Sequence, residues 1–187
     1  MNTTPGLTFT AIDFEAANSD RASACAIGVA TVKDGAITGT RSWLIRPHTG
    51  LDSFDRHATR VHGIDAAKVI NARSLTDSMH ELADLIGYGP VLAHNVGYDA
   101  AVLRTSFEIA GLPRPANEFR CTETLARAAF RLPRNKLADV AAHLELPAFT
   151  SHDAGDDALT CARIALAIAE RRKAPTITKL YRGLGIG

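Results

Sequence analysis

The chain lacks an excess of charge of either sign: Lys plus Arg is 21, Asp plus Glu is 20, and the formal net charge is +1. That balance excludes a protein that coats nucleic acid by bulk charge, yet leaves room for a basic patch around an acidic pocket. Cysteine is scarce. Cys25, Cys121 and Cys161 are far apart, odd in number and never in a Cys-x-x-Cys pair. A disulfide framework or a zinc site is thereby excluded, and three buried thiols in a reducing cytoplasm are expected. Long hydrophobic runs are also missing. The longest, residues 164–169, is too short to span a bilayer, so no membrane association is expected. Residues 1–9 show no basic segment followed by an apolar stretch, so no signal peptide is expected. Internal repeats and low-complexity blocks are absent.

What is present is an ordinary globular composition, 46% hydrophobic and 22% charged over 187 residues. The length suits one domain with a sizeable core. That domain is expected over residues 1–174, followed by a short tail over 175–187. The first third reads as strands, with β-rich runs at 7–15, 24–33 and 36–46. Lys33-Asp34-Gly35 marks a hairpin between the last two. Residues 47–60 read as a polar loop. Ser74 with Asp77 three residues on forms a capping box, opening a helix that ends near Gly87. Residues 90–93 read as a short buried strand and 118–121 as another. Helices are expected over 99–110, 122–130, 136–144 and 153–172. An antiparallel meander followed by alternating helix and strand is an α/β pattern with a mixed sheet, covered by helices on both faces.

Several acids sit where acids are costly. Asp13 and Glu15 lie inside the first strand, in Ala11-Ile12-Asp13-Phe14-Glu15. Side chains alternate across a strand, so the two share one face, with Cα atoms about 6–7 Å apart. Asp99 heads a helical stripe with Val102, Leu103, Ser106, Phe107 and Ala110. Asp157 heads another with Thr160, Cys161, Ile164, Ala165 and Ile168. Singly, an acid at a helix start is a cap or a surface residue. Together, four acids directed inward from three elements are hard to explain as stability. Two carboxylates about 4 Å apart repel by roughly 4 kcal/mol at an effective dielectric of about 20. Cations would neutralise such a cluster. All-oxygen ligands suit Mg²⁺ or Mn²⁺ rather than zinc. Two such ions about 3.5–4 Å apart can clamp both oxygens of a phosphoryl displacement, so phosphodiester hydrolysis is the natural chemistry.

His152 stands five residues before Asp157, in Ser151-His152-Asp153-Ala154-Gly155-Asp156-Asp157. An imidazole titrates near neutrality and suits a general base beside such a cluster. Alone it reads as a solvated loop histidine. His94 and Asn95 follow the buried strand and precede Asp99, so contact with substrate is expected. His62, in Val61-His62-Gly63-Ile64, is expected to meet a base or sugar. His48, His57, His80 and His143 read as surface residues.

These residues, in this order, resemble the DEDDh branch of the DnaQ-like exonucleases, which includes proofreading subunits of replicative polymerases and ribonuclease T. The motifs that carry the likeness are Ile12-Asp13-Phe14-Glu15, Ala93-His94-Asn95-Val96-Gly97-Tyr98-Asp99, His152 through Asp157, and Val61-His62-Gly63-Ile64. The likeness runs roughly from Phe9 to Ile168. It implies a ribonuclease H-like fold with a central mixed five-stranded sheet. It implies two divalent ions, with Asp13, Glu15 and Asp157 around one and Asp13 again at the other. Asp99 would complete the acid set through water, and His152 would be the base. Substrate contacts would fall to Phe14, Ala16, Ala17, His62, His94 and Asn95. One departure is visible. Many relatives place Thr after the motif Glu, whereas this chain has Ala16-Ala17-Asn18, so a hydroxyl contact to the terminal sugar is lost and only backbone N–H contacts remain.

The implied activity is 3′→5′ exonucleolytic release of nucleoside monophosphates from single-stranded 3′ ends of DNA or RNA. Leu, Phe and His side chains would stack on the last base. Arg127, Arg131, Arg134 and Lys136 form the best basic cluster for the backbone, and read equally well as a solvated helix edge. A DNA polymerase or a replication or repair protein is the implied partner. An RNA-trimming enzyme and a non-catalytic nucleic-acid-binding module of the same fold are the competing readings.

Overall fold

The computed structural model describes residues 6–186, and its element order begins with the three predicted strands. These are β1 (Phe9–Ala16), β2 (Ala24–Lys33) and β3 (Ala36–Arg46), paired antiparallel in sequence. The β2–β3 turn has Asp34 and Gly35 at φ 50° and 77°. Two successive left-handed residues match the twist of the strands, which is why Asp-Gly occupies that turn.

The polar segment after β3 is not all loop. It carries α1 (Arg56–His62) and α2 (Ala66–Val69), started by Asp55 and Asp65, whose carboxylates accept backbone N–H groups of the first turn. A two-residue strand, β4 (Arg73–Ser74), then pairs parallel with the end of β3. The expected five-stranded sheet therefore has six strands, in the order β4-β3-β2-β1-β5-β6. Ser74 caps as expected: its Oγ accepts the Asp77 N–H and starts α3 (Leu75–Ile86), which Gly87 closes. The Asp77 carboxylate accepts the Ser74 hydroxyl in place of the backbone N–H of a full capping box. Next come β5 (Val91–Ala93), α4 (Val96–Ile109), β6 (Phe119–Cys121) and α5 (Thr122–Ala129). The chain continues through α6 (Leu137–His143) and α7 (Ala154–Arg172). β5 and β6 run parallel to β1.

The alternation in β1 divides the interior in two. Phe9 and Ala11 face a core with Leu125, Val140, Ile164 and Ile168 from α5, α6 and α7. Ile12 and Phe14 face the opposite core with Met79, Leu82, Leu103 and Phe107 from α3 and α4. Helices thus cover both faces of the sheet. Residues 175–187, expected as a tail, instead carry α8 (Ile177–Gly183). Its Ile177, Leu180 and Tyr181 are buried in the α7-side core. No described helix is long and apolar enough to cross a membrane. All three cysteines are free thiols.

Candidate active site

The carboxyl ends of β1 and β5, two interior strands of the sheet, meet the amino ends of α4 and α7. Asp13 and Glu15 continue the β1 face that Phe9 and Ala11 begin, and α7 packs over that face. Asp157 lies in the first turn of α7. Asp99 lies in the first turn of α4 on the opposite side, and reaches the β1 backbone, where its Oδ1 accepts the Phe14 N–H at 3.0 Å. Three separate elements therefore deliver four carboxylates to one place.

The approach of α7 depends on Gly28. This residue pairs with Asp13 across the β1–β2 ladder. A Cβ at Gly28 would lie 1.7 Å from the Ala154 carbonyl oxygen. Only glycine lets the first turn of α7 descend onto β2, and that descent carries Asp157 toward Asp13. The preceding turn is strained. His152 has φ 64°, a left-handed conformation costly for a non-glycine residue. Its backbone N–H donates to Asp157 Oδ2 at 3.0 Å, which fixes both the turn and the carboxylate.

The tightest cluster is Glu15, His152 and Asp157, with one ligand atom from each lying within 4.8 Å of the others. The field of the site is strongly negative. Burial, then the charges of Asp99, Asp157, Glu15 and Asp153, push Asp13 well above the usual carboxylate range. Burial, then Asp157, Asp99 and Asp153, raise Glu15 to about 8. Burial raises Asp99 to about 7, opposed by the Phe14 N–H and by Arg21. Burial raises Asp157 to about 6, opposed by the His152 N–H and side chain. Acids perturbed together in this way suit a positive ligand. The second oxygen of Asp157, Oδ1, is buried without a hydrogen-bond partner. A buried carboxylate oxygen left unpaired is costly, and a cation would satisfy it.

The residues expected to touch substrate differ in what they have free. The Phe14 ring is in the core and its N–H is taken by Asp99. The Ala17 N–H donates to the Ser23 carbonyl at 2.8 Å, and the Ala17 side chain is fully buried. The Ala16 carbonyl accepts from His62 Nε2 at 3.1 Å, while His62 Nδ1 accepts the Ile64 N–H at 3.0 Å. That pair of bonds fixes one neutral tautomer, and burial lowers the pKa of the ring. His94 is likewise engaged, its Nε2–H donating to the Asn135 carbonyl at 2.8 Å and its Nδ1 paired with Thr122 Oγ1 at 3.0 Å. Its ring ties the end of β5 to the basic loop over residues 130–136. Burial lowers the His94 pKa too. Asn95, at φ 72°, is exposed and makes no side-chain cap.

A cavity of about 420 Å³ opens beside His152, lined among others by Trp43, Leu44, His62, Ile64 and Lys68. A larger one, about 630 Å³, lies at the far end of α4 near Arg104 and Arg114, and neither cavity is lined by Asp13, Glu15, Asp99 or Asp157.

Residues 10–165 match the RNase_T family, described as an exonuclease. The chain belongs to that exonuclease family. It is 29% identical over 178 residues to the DNA polymerase III PolC-type protein of Thermotoga petrophila, covering 92% of this chain and 13% of that protein. It is 28% identical over 160 residues to the 3′-5′ exonuclease DinG of Bacillus subtilis, covering 83% of this chain and 17% of that protein. The chain spans less than a quarter of the length of the curated relatives it matches. Among solved structures, Escherichia coli Exonuclease I in complex with a dA16 oligonucleotide superposes with a TM-score of 0.75 at 17% identity. That match covers 89% of this chain and 41% of the other. The architecture is thus the ribonuclease H-like fold of DnaQ-like exonucleases, with six strands here.

Three residues around these acids were not singled out from sequence. Gly28 carried a readable signal, an isolated glycine inside a strand of β-branched and small residues. Asp153 caps α7 by accepting the Asp156 N–H at 3.0 Å and adds its charge to the cluster. Its place next to His152 was the hint. Arg21 carried no local signal. Of the expected basic cluster, Arg127 pairs with Glu123 and Arg134 with Asp139, leaving Arg131 and Lys136 without an ion pair among the described residues.

Proposed function

We propose that this chain is a metal-dependent 3′→5′ exonuclease of the DEDDh type, hydrolysing phosphodiester bonds at single-stranded 3′ ends and releasing nucleoside monophosphates. The single observation that carries the reading is the unpartnered Asp157 Oδ1, buried beside Glu15 and His152 and within the field of Asp13 and Asp99. Oxygen donors of this kind fit two Mg²⁺ or Mn²⁺ ions. Asp13, Glu15 and Asp157 would hold them, with Asp99 completing the set. When bound, the ions supply positive charge to the phosphoryl group and make water more acidic.

The rest is done by the chain's own side chains. His152 is exposed at the mouth of the cluster and takes the proton of the attacking water. The cavity beside it, with Trp43, Leu44 and His62, receives a base by stacking. Asn95 meets the sugar or phosphate at the rim. The PolC-type relative supports a DNA polymerase as a partner, and the dA16 complex of Exonuclease I supports single-stranded DNA as substrate.

The test is digestion of 3′-labelled DNA and RNA oligonucleotides of matched sequence with Mg²⁺, Mn²⁺ or EDTA. Wild type is expected to shorten the DNA with either metal and to be inert in EDTA. Asp13→Ala is expected to lose activity by on the order of 10³-fold or more, the scale of removing a preorganised electrostatic contact. Equal digestion by wild type and Asp13→Ala defeats the assignment, and preference for RNA turns it to RNA trimming. In His152→Ala the pH–rate profile should lose its low-pH limb. An unchanged limb moves the base elsewhere.

A further inference from the structure

We infer that Arg21 is a substrate-binding residue that grips a non-bridging phosphate oxygen of the nucleic-acid backbone beside the carboxylates. The inference rests on the proposed nuclease reading for its substrate class, and on independent geometry for its residue. Arg21 sits in the loop that joins β1 to β2, just after the motif acids. Its Cζ lies 4.1 Å from the ring centroid of Tyr98, in the first turn of α4 and adjacent to Asp99. Yet Arg21 forms no ion pair and no side-chain hydrogen bond among the described residues. A guanidinium stacked on the residue before Asp99 would ordinarily pair with that acid, and this one does not. The Tyr98 face holds it off, and cation–π attraction keeps it there. Its N–H donors are left free.

The loop under Arg21 is built to hold still. Asn18 Oδ1 accepts the Asp20 N–H at 2.9 Å, and Asp20 Oδ1 accepts the Ala22 N–H at 2.8 Å. Ser23 Oγ donates to the Asp20 carbonyl at 2.7 Å, and Asn18 Nδ2 donates to the Ser53 carbonyl at 2.6 Å. Four bonds therefore fix a short segment whose exposed arginine points its charge toward the acid cluster. A planar guanidinium with free donors is the side chain that best matches phosphate geometry. The site also needs such a group, because a polyanion must approach four carboxylates. With the Phe14, Ala17 and Asn18 N–H groups already taken, Arg21 adds donors to a segment that has few of its own.

The test compares wild type, Arg21→Gln, Arg21→Lys and Tyr98→Leu in two assays. The first is anisotropy of a fluorescein-labelled DNA oligonucleotide in Ca²⁺, which reads binding without turnover. The second is steady-state digestion in Mg²⁺ at several salt concentrations. Arg21→Gln is expected to weaken binding by about 10–100-fold, the loss of charge-assisted hydrogen bonds. It should also lower the slope of log affinity against log salt by about 0.7, the value for one phosphate contact on a single strand. Arg21→Lys should recover the salt slope but only part of the affinity. Tyr98→Leu should weaken binding less than Arg21→Gln. Mn²⁺ affinity should not fall in any of them. Oligonucleotide affinity within twofold of wild type in Arg21→Gln overturns the inference. So does a loss matched by an equal loss of Mn²⁺ affinity at an unchanged salt slope, which would mean that Arg21 acts only through Asp99. Absence of turnover in wild type, with binding still dependent on Arg21, would sink the nuclease reading and leave this one standing.

Discussion

Along α7, the first turn and the later turns are buried against the same sheet but with opposite energetic sense. Ile164, Ala165 and Ile168 are packed among Leu92, Leu125 and Val140, and water is excluded from apolar surface. Asp157, three turns from Ile168 on the same stripe, is only 8% exposed, and its burial raises its pKa instead of filling a core. One end of the helix holds the fold together. The other is held in place by it, at a cost that only a positive ligand offsets. The difference teaches that the helix is both a core element and a lever, with Gly28 as the point on which it rests.

Substitutions at the two ends should therefore separate. Ile164→Ala removes fully buried methyl groups and is expected to destabilise by about 2–5 kcal/mol. At about 2–4 °C per kcal/mol the melting temperature should drop markedly, while activity per folded molecule stays within a few-fold. Asp13→Asn should do the reverse, leaving the melting temperature in EDTA equal or higher while activity in Mg²⁺ is lost. Thermal scans with parallel digestion assays check both, and a stabilising Ile164→Ala or a strongly destabilising Asp13→Asn breaks the contrast.

Gly28→Ala tests the lever itself. The clash with the Ala154 carbonyl should lift the first turn of α7, at about 1–3 kcal/mol of stability. A displacement near 1 Å should lower kcat by roughly 10²-fold. Unchanged kcat would show that the close approach does not set the site.

The smallest expected effect is a pH dependence of stability. Glu15 is raised from 4.5 to about 8 and Asp157 from 3.8 to about 6. Each binds its proton more tightly folded than unfolded. Metal-free stability is therefore fully present below the ordinary carboxylate range and declines as pH rises through about 6 and about 8. Mg²⁺ or Mn²⁺ should raise the melting temperature more at pH 8.5 than at pH 5.5. A metal-induced rise that is larger at pH 5.5 would contradict the electrostatics.

Much of this was legible in the chain because it rests on local periodicity. Alternation placed Asp13 and Glu15 on one strand face, and the 3.6-residue stripes below Asp99 and Asp157 oriented both helices inward. Other features had weaker signals. No residue of α1 is buried, so it has no apolar stripe, and it is defined by the Asp55 cap. β4 is two residues long and exists through its pairing with β3. α8 did carry a signal, Ile177, Leu180 and Tyr181 at helical spacing after the Thr176 cap, which a tail reading passed over. His94 and His62 stood out in sequence, but the partners that occupy their ring nitrogens, Asn135 and Ala16 among them, did not, being 41 and 46 residues away. Long-range pairing of that kind leaves no local pattern.

The central claim is that these carboxylates converge to hold divalent cations. Mn²⁺ titration of wild type, Asp13→Asn and Asp157→Asn, followed by electron paramagnetic resonance at pH 7.5 with a nucleoside monophosphate present, counts the ions directly. Two bound ions in wild type, with binding impaired in either variant, is the predicted result. Wild type that binds no Mn²⁺ at millimolar concentration, or variants that bind it as wild type does, would contradict the account.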